Sequence, residues 1–257
     1  IPPSLSFIIY GSVTGVSVGQ LFMAGVMPGV ILLAAFMVVA TLMPTGQAVR
    51  LGPAADLPLE PEKMRSPPRS SVINILPLVL LIGWVLGSIY MGWATPSESA
   101  ASGCLGAIVL ALLLRRLSVK TFVTTLEATV RVSTPLLFLL AAAALFSTAL
   151  SRSGMLRDIS DWILVDLGLG PVEIVVATVL FYILLGMFMD GISMMVVTLP
   201  LTFPVIEAAG FDGVWFGVVV TLLVEIGLIT PPVGLNLFVI AGAAEQPVER
   251  SFVGVIP

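Results

Sequence analysis

The sequence predicts an all-α integral membrane protein with several spanning helices, and three observations support this fold class. Hydrophobic residues make up 58% of the 257 residues and charged residues only 10%, against roughly a quarter in soluble domains. Apolar runs of about 20 residues, the length that crosses a bilayer, recur along the chain. The stretches between them are rich in proline and charge, which is typical of solvated loops.

Five apolar runs predict the spanning helices. We expect spans near 20–43, 72–92, 98–114, 132–150 and 172–189. Segment 44–71 is rich in proline and charge, so we interpret it as a loop rather than a second domain. Segment 115–131 is basic at its start and partly amphipathic, which predicts a helix along the membrane interface. In "TPSESAA", Thr95 or Ser97 is expected to cap a helix with Glu98 in its first turn.

The positions of lysine and arginine predict which loops are cytoplasmic. Positive residues concentrate in 44–71 and 115–131, whereas the turn 92–99, "GWATPSES", has none. In 151–171 the arginines are offset by aspartates. The positive-inside rule therefore places 44–71 and 115–131 in the cytoplasm and the other two loops outside.

The composition also excludes several classes of function. Histidine is absent, so imidazole metal sites and histidine proton relays are excluded. Cys104 is the one cysteine and cannot form an intrachain disulfide. The net charge of −4 gives no indication of nucleic-acid binding. We expect no organic cofactor and no nucleic-acid partner.

Residues 1–28 and 230–257 align without gaps and share two demanding patterns. The first is a double proline, in which Pro2 and Pro3 match Pro231 and Pro232. The second is "GV-x-P" near the end of each segment. We interpret the match as an internal repeat within one membrane domain over 1–257, with 172–257 as a second repeat that contains broken helices.

The two ends of the chain suggest a longer protein. The chain begins at Ile1 without a methionine or a signal peptide, and it ends at Pro257 directly after a short apolar stretch. If the repeat is real, we expect further N-terminal sequence that completes the first repeat and a C-terminal helix after Pro257.

The stretch 225–236, "EIGLITPPVGLN", predicts a broken helix. Pro231 and Pro232 lack the amide hydrogen that a helix needs, and Thr230 precedes a proline and favours extended geometry. A helix over 214–228 should therefore end near Thr230, and a second half-helix should run from about Gly234 to Ala244. The result is a re-entrant hairpin or a discontinuous helix.

Such a break can bind ligands because unwound backbone in a membrane needs polar partners. Carbonyls of the first half-helix suit a cation, and amides at the start of the second suit a carboxylate. Thr230 and Asn236 add neutral oxygens for a hard monovalent cation. Ser4 and Ser6 lie beside the first double proline and add hydroxyls at that break only. The alternative is a kinked helix whose freed groups bond to neighbouring helices.

A second break is predicted in 186–204, "GMFMDGISMMVVTLPLTFP". Asp190 lies in an apolar setting, where a charge is costly. Gly191 and Ser193 can form an unwound tip, and Pro200 and Pro204 should disrupt the following helix. Asp190 could coordinate a cation, carry a proton or cap the next half-helix, and an ordinary N-cap is the alternative without a binding role. Glu225 is a second candidate acid, with pairing to a serine or backbone group as its alternative.

Three stretches resemble one known family of membrane proteins. Residues 186–240, "WATPSESAASG" and "IPPSLSFIIYGSVTGVSVGQLFMAGVMPG" are similar to the large membrane subunit of tripartite ATP-independent periplasmic (TRAP) transporters, often called DctM. The resemblance implies a multi-pass bacterial inner-membrane protein with an elevator-type transport domain. It also implies sodium-coupled import of organic acids such as C4-dicarboxylates or sialic acid.

The resemblance further implies two protein partners, a small DctQ-like membrane subunit and a periplasmic DctP-like binding protein. Its ion and substrate positions fall on both breaks: Ser4, Ser6, Asp190, Gly191, Ser193, Thr230, Pro231, Pro232, Gly234 and Asn236. Sodium is expected near Asp190, Ser193, Thr230 and Asn236. The family commonly has proline where this chain has Gly191, which would loosen that tip. The family's N-terminal stretch is absent here, so we expect that this chain alone does not transport.

Two other classes of protein remain as alternatives. The first is a related ion-coupled anion symporter that acts without a binding protein. The second is an intramembrane enzyme, but the sequence has no metal cluster, nucleophile elbow or phosphate loop. Asp190 and Glu225 are the only deep pair of acids that such an enzyme could use. No arginine lies within the breaks, and Arg250 follows the second one. An anionic substrate would then be held mainly by helix dipoles, amides and sodium ions.

Overall fold

The computed structural model describes residues 4–42, 70–231 and 233–243, and it confirms the all-α prediction. These residues form ten α-helices, one π-helical turn and no strand. The helices are α1 (Leu5–Thr14), α2 (Val18–Leu42), α3 (Ser70–Tyr90), α4 (Pro96–Leu113), α5 (Val119–Ser153), α6 (Met155–Asp161), α7 (Pro171–Gly186), α8 (Gly191–Ala208), α9 (Gly213–Ile229) and α10 (Leu235–Ala243), with the π-helical turn at Trp162–Asp166. Two compact units result, Ile1–Pro53 with Leu136–Pro257, and Ala54–Pro135.

Helices α2, α3, α4 and α7 lie where spans were predicted and begin within two residues of the expected positions. Among the described residues, four helices are long and apolar enough to cross a membrane: Val18–Val39, Pro96–Leu113, Val119–Ser153 and Gly191–Ala208. The chain is therefore a membrane protein. Most of the predicted loop 44–71, and with it much of the topology prediction, lies outside the described residues.

Two prolines in α8 do not disrupt that helix, so this prediction was wrong. Pro200 and Pro204 both lie inside one continuous helix, Gly191–Ala208. Each proline removes a single backbone bond, and a membrane helix tolerates such a loss when neighbouring helices surround it. Helix α8 packs on α1, α6, α7 and α9, and its residues 194–196 and 198–200 are buried.

Helix α5 differs from the prediction in a similar way. Segments 115–131 and 132–150 were expected to be separate, but α5 runs unbroken from Val119 to Ser153 with Pro135 inside it. The leucines and alanines that follow Pro135 favour helix, and a membrane helix tolerates the loss of one amide. The expectation that the first part lies along the interface stays a prediction.

The Ala54–Pro135 unit contains the hairpin of α3 and α4. Thr95 and Glu98 form a reciprocal capping box at the start of α4, which confirms the expected cap at Thr95. Inside the hairpin, the hydroxyls of Ser88 and Ser99 lie 2.8 Å apart and are buried. Small residues let the two helices approach closely, as is common in membrane interfaces.

In the other unit, α7 and α9 run parallel and α8 runs antiparallel to both. A Cβ placed on Gly186 would lie only 2.8 Å from the Cα of Gly227, so the C-terminal ends of α7 and α9 touch. Gly191, the first residue of α8, lies against Val224 near the end of α9. Phe203, late in α8, lies against Gly213 at the start of α9.

Helix α1 packs on the same three-helix layer and is held by Tyr10. The Tyr10 hydroxyl donates a 2.7 Å hydrogen bond to the Gly213 carbonyl, and its ring packs edge-on against Phe203 and Phe216. Val16, just beyond the end of α1, also lies against Gly213. The C-terminal end of α1 therefore lies at the start of α9, and its N-terminal end is directed toward the far end of α9.

Two glycine substitutions should change stability in opposite directions. A Cβ on Gly217 would lie 2.5 Å from Leu21 Cδ2 and 2.7 Å from Tyr10 Cε1, both in buried side chains. Gly217→Ala should therefore lower the free energy of unfolding, by about 1–3 kcal/mol for overpacking. Gly83, in α3, has no atom within 4 Å of its built Cβ.

Gly83→Ala is the matched control and should raise stability by about 0.5–1 kcal/mol, because alanine favours helix. The apparent Tm of the full-length protein in detergent measures both changes. Equal shifts in the two variants would contradict the packing described for α1, α2 and α9.

Candidate functional site

The first break lies between α7 and α8. After Gly186 the chain makes a tight turn in which the Met189 amide donates to the Leu185 carbonyl at 3.0 Å. Asp190 is extended, and its Oδ2 accepts from the Ser193 amide at 3.0 Å. Asp190 therefore caps α8, as the capping alternative predicted. Its Oδ1 has no hydrogen-bond partner among the described residues.

Gly191 and Ser193 were expected to form an unwound tip, and this prediction was wrong. Both residues lie in the first turn of α8, and the non-helical stretch is 187–190. The reason is the aspartate cap, which satisfies the Ser193 amide and lets the helix begin directly after Asp190.

The second break lies between α9 and α10, where the sequence predicted it. Helix α9 ends at Ile229, and Thr230 is extended with φ −85° and ψ 132°. The Thr230 hydroxyl donates to the Ile226 carbonyl. Pro231 is exposed in the turn, and Pro232 lies outside the described residues. Gly234 adopts φ +58°, a left-handed conformation that favours glycine.

The structure places the two breaks side by side. The backbones of Gly186 and Gly227 are in direct contact, and Gly191 packs against Val224 and Leu228. Gly186 is the last residue before the first break, and Gly227 lies one turn before the second. The contact therefore brings the C-terminal ends of α7 and α9 to the start of α8.

This arrangement concentrates opposite partial charges at one end of the unit. The ends of α7 and α9 present carbonyls with negative dipole character, whereas the starts of α8 and α10 present amides with positive character. In α10 the first turn is tight, since the Leu237 amide donates to the Gly234 carbonyl at 2.8 Å. One end of the unit can therefore bind a cation and a carboxylate close together.

Ser4 and Ser6 belong to the helix that is directed toward this end. Ser4 is the extended N-cap residue of α1, and its side chain makes no capping hydrogen bond. Ser6 lies in the first turn and is half-buried. Because α1 runs antiparallel to α9, both serines lie on the side of Tyr10 that is nearer the breaks. Neither hydroxyl is hydrogen-bonded to a described residue of the breaks.

The remaining candidates differ in their surroundings. Asn236 is the second residue of α10 and is half-buried. Its amide makes no hydrogen bond to a described residue and remains available for a ligand. Glu225 is exposed on α9. The alternative for Glu225, pairing of its carboxylate with a serine or backbone group, is absent from the described residues.

Sequence reasoning missed Gly186 and Gly227, which hold the breaks together. A usable indication existed, because small residues in membrane helices often mark close helix contacts. However, the chain has 24 glycines, and their spacing alone does not say which pair meets.

One cavity lies apart from the breaks. It has a volume of about 320 Å³ and lies among α6, the π-helical turn, α7 and α8. Its lining is mainly apolar, from Ile159 to Val205, and includes none of the predicted site residues. This cavity is therefore not part of the candidate site at the breaks.

Two helix breaks that lie side by side at one end of a bundle of apolar helices are typical of helical membrane transporters. The comparison with known families specifies the class further. The family described as "Tripartite ATP-independent periplasmic transporter, DctM component" matches residues 1–257. The chain belongs to this family of TRAP transporter large permeases.

Several relatives share about 30% identity with this chain over its whole length. The chain is 30% identical to the C4-dicarboxylate TRAP transporter large permease protein DctM of Pseudomonas aeruginosa. It is 28% identical to the sialic acid TRAP transporter large permease protein SiaM of Vibrio cholerae. It is 31% identical to the ectoine/5-hydroxyectoine TRAP transporter large permease protein UehC of Ruegeria pomeroyi. Each match covers 100% of this chain and 58% of the relative.

Substitutions at Asp190 should separate capping from charge. Asp190→Asn keeps a good N-cap without the charge, and Asp190→Ala removes both. We expect the asparagine variant to keep the apparent Tm of the full-length protein and the alanine variant to lose about 1 kcal/mol of stability. Thermal unfolding in detergent measures both. If asparagine destabilises as much as alanine, the carboxylate has a further partner that depends on its charge.

Proposed function

We propose that this chain is part of the permease subunit of a sodium-coupled TRAP transporter that imports an organic acid across the bacterial inner membrane. The observation that carries the proposal is the contact of Gly186 with Gly227, which joins the two broken regions at one end of the unit. This end offers cation-binding carbonyls and anion-binding amides together. A coupled transporter needs both kinds of group close to each other.

The donor groups at the breaks suit sodium. They are backbone carbonyls at the ends of α7 and α9, the lone pairs of the Thr230 hydroxyl, and Oδ1 of Asp190. Hard cations prefer such oxygen ligands. Ser193 and Asn236, in the first turns of α8 and α10, are the further ligands that we propose near the ion. The Thr230 hydroxyl hydrogen is used by Ile226, so its oxygen faces a ligand as an acceptor.

The substrate site is proposed at the helix starts. No lysine or arginine occurs in 186–204 or in 225–243. A substrate carboxylate would therefore bind the first-turn amides of α8 and α10, assisted by their dipoles and by the nearby sodium. The C4-dicarboxylate and sialic acid relatives support an organic acid as the substrate. The ectoine relative shows that the family's range is wider.

The partners follow from membership of a tripartite family. We propose a small DctQ-like membrane subunit and a DctP-like periplasmic binding protein that delivers the substrate. A related symporter that works without a binding protein is the alternative. Dependence of uptake on the binding protein distinguishes the two.

Uptake by the full-length permease with its small subunit in proteoliposomes tests the proposal. A radiolabelled C4-dicarboxylate and a sialic acid serve as substrates, with or without an inward sodium gradient and with or without the binding protein. We expect that one of the two substrates is taken up, and only when the sodium gradient and the binding protein are both present. Asn236→Ala should reduce uptake at least tenfold, because its half-buried amide lies in the first turn of α10.

Gln20→Ala is the matched control, since Gln20 is an exposed amide side chain near the start of α2. It should transport normally. Uptake that is independent of sodium would overturn the proposed sodium coupling. Uptake without the binding protein would favour the stand-alone symporter. Normal uptake by Asn236→Ala would remove that residue from the site.

A further inference from the structure

Thr221, in α9, has a hydroxyl that the protein leaves without a partner. The residue is 5% exposed, and its Oγ1 is buried with no hydrogen-bond partner among the described residues. A buried polar group in this state costs stability, and the cost is greater within a membrane than in contact with water. The orphaned hydroxyl therefore indicates a ligand.

Other helical threonines of this chain donate their hydroxyl to a carbonyl of their own helix. The hydroxyls of Thr148, Thr198 and Thr202 each donate to the carbonyl four residues earlier, at 2.7–3.1 Å. The same bond from Thr221 to the Gly217 carbonyl is absent from the structure. The Thr221 hydroxyl is therefore directed away from its own helix backbone.

Helix α2 packs against this part of α9. A Cβ on Gly213 would lie 3.1 Å from Val16 Cγ2, and one on Gly217 would lie 2.5 Å from Leu21 Cδ2. Val16 lies just before α2 and Leu21 lies inside it, so the two contacts give α2 and α9 a parallel register. Extended by one helical turn, this register pairs Gly25 with Thr221. Gly25 is buried and has no side chain.

A second polar group lies at this level in α2. Pro28 lies inside the helix and has no amide hydrogen for the carbonyl of Ala24, four residues earlier. Ala24 directly precedes Gly25, so the same extended register puts its carbonyl near the level of Thr221. The register thus pairs two groups that lack their usual helical partners.

We propose that Thr221 Oγ1 and the Ala24 carbonyl bind one buried water molecule between α2 and α9. Water suits the site because it needs two to four polar partners. It donates one hydrogen to the carbonyl and exchanges a second hydrogen bond with the hydroxyl. A sodium ion would need more oxygen ligands than these two groups supply. The water replaces the hydrogen bond that the Ala24 carbonyl loses because Pro28 has no amide hydrogen.

The sign of a stability change tests this site. Thr221→Val replaces the hydroxyl by a methyl group of similar size. If water is bound, the variant loses its hydrogen bond, and the apparent Tm of the full-length protein in detergent should fall by about 2–4 °C. Thr221→Ser keeps the hydroxyl and is the matched control with a smaller loss. A Tm that rises or stays constant in Thr221→Val would overturn the proposal, because removing a truly unpartnered hydroxyl should stabilise.

A double-mutant cycle tests the role of Ala24. Pro28→Ala supplies an amide hydrogen for the Ala24 carbonyl, so the water loses one of its partners. The effect of Thr221→Val should then shrink by at least half in the Pro28→Ala background. Additive effects would show that the two helices do not share the ligand.

The same measurements in sodium chloride and in choline chloride identify the ligand. The loss in Thr221→Val should be equal in both salts. A loss confined to sodium would show a cation in place of water and would overturn the assignment. The site is separate from the proposed transport site, so its test stands whether or not the proposed transport function is correct.

Discussion

The contact between the backbones of Gly186 and Gly227 is the constraint on which the rest of the site depends. A side chain at either position would separate α7 from α9. The first break begins directly after Gly186, and the second begins one turn after Gly227. Their C-terminal carbonyls therefore meet at the level where α8 starts. In a hydrocarbon environment unwound backbone persists only inside protein or beside a polar cavity, so joining the two breaks also stabilises each of them.

The direction of each helix gives this contact a strong electrostatic character without basic side chains. Helices α7 and α9 end here, and α8 and α10 begin here. Carbonyl dipoles and amide dipoles thus lie close together, although no lysine or arginine occurs in either broken segment. Asp190 caps α8 with one oxygen and keeps the other available. Such a site can bind a cation and an anion at once. The cation offsets the repulsion between the anion and the carbonyl groups, and the anion offsets the repulsion between the cation and the amide groups.

The sequence predicted local features better than long-range ones. The break at Thr230 follows from two prolines that have no amide hydrogen, and the cap at Asp190 follows from its side chain. In contrast, Pro135, Pro200 and Pro204 lie inside continuous helices. Whether one proline ends a membrane helix depends on its neighbours, which the sequence does not show. The Gly186–Gly227 contact was missed for the same reason, because the sequence does not show which glycines meet. The internal repeat stays a prediction, because residues 244–257 lie outside the described part of the chain.

The central claim is that the glycine contact builds a sodium site, and the sodium-induced shift in apparent Tm tests it most directly. A ligand that binds only the folded protein raises its Tm. We compare choline chloride with sodium chloride for the full-length wild type, Gly227→Ala and the control Gly83→Ala. Wild type and Gly83→Ala should show the same rise in sodium, whereas Gly227→Ala should unfold cooperatively without that rise. An equal rise in all three proteins would contradict the account.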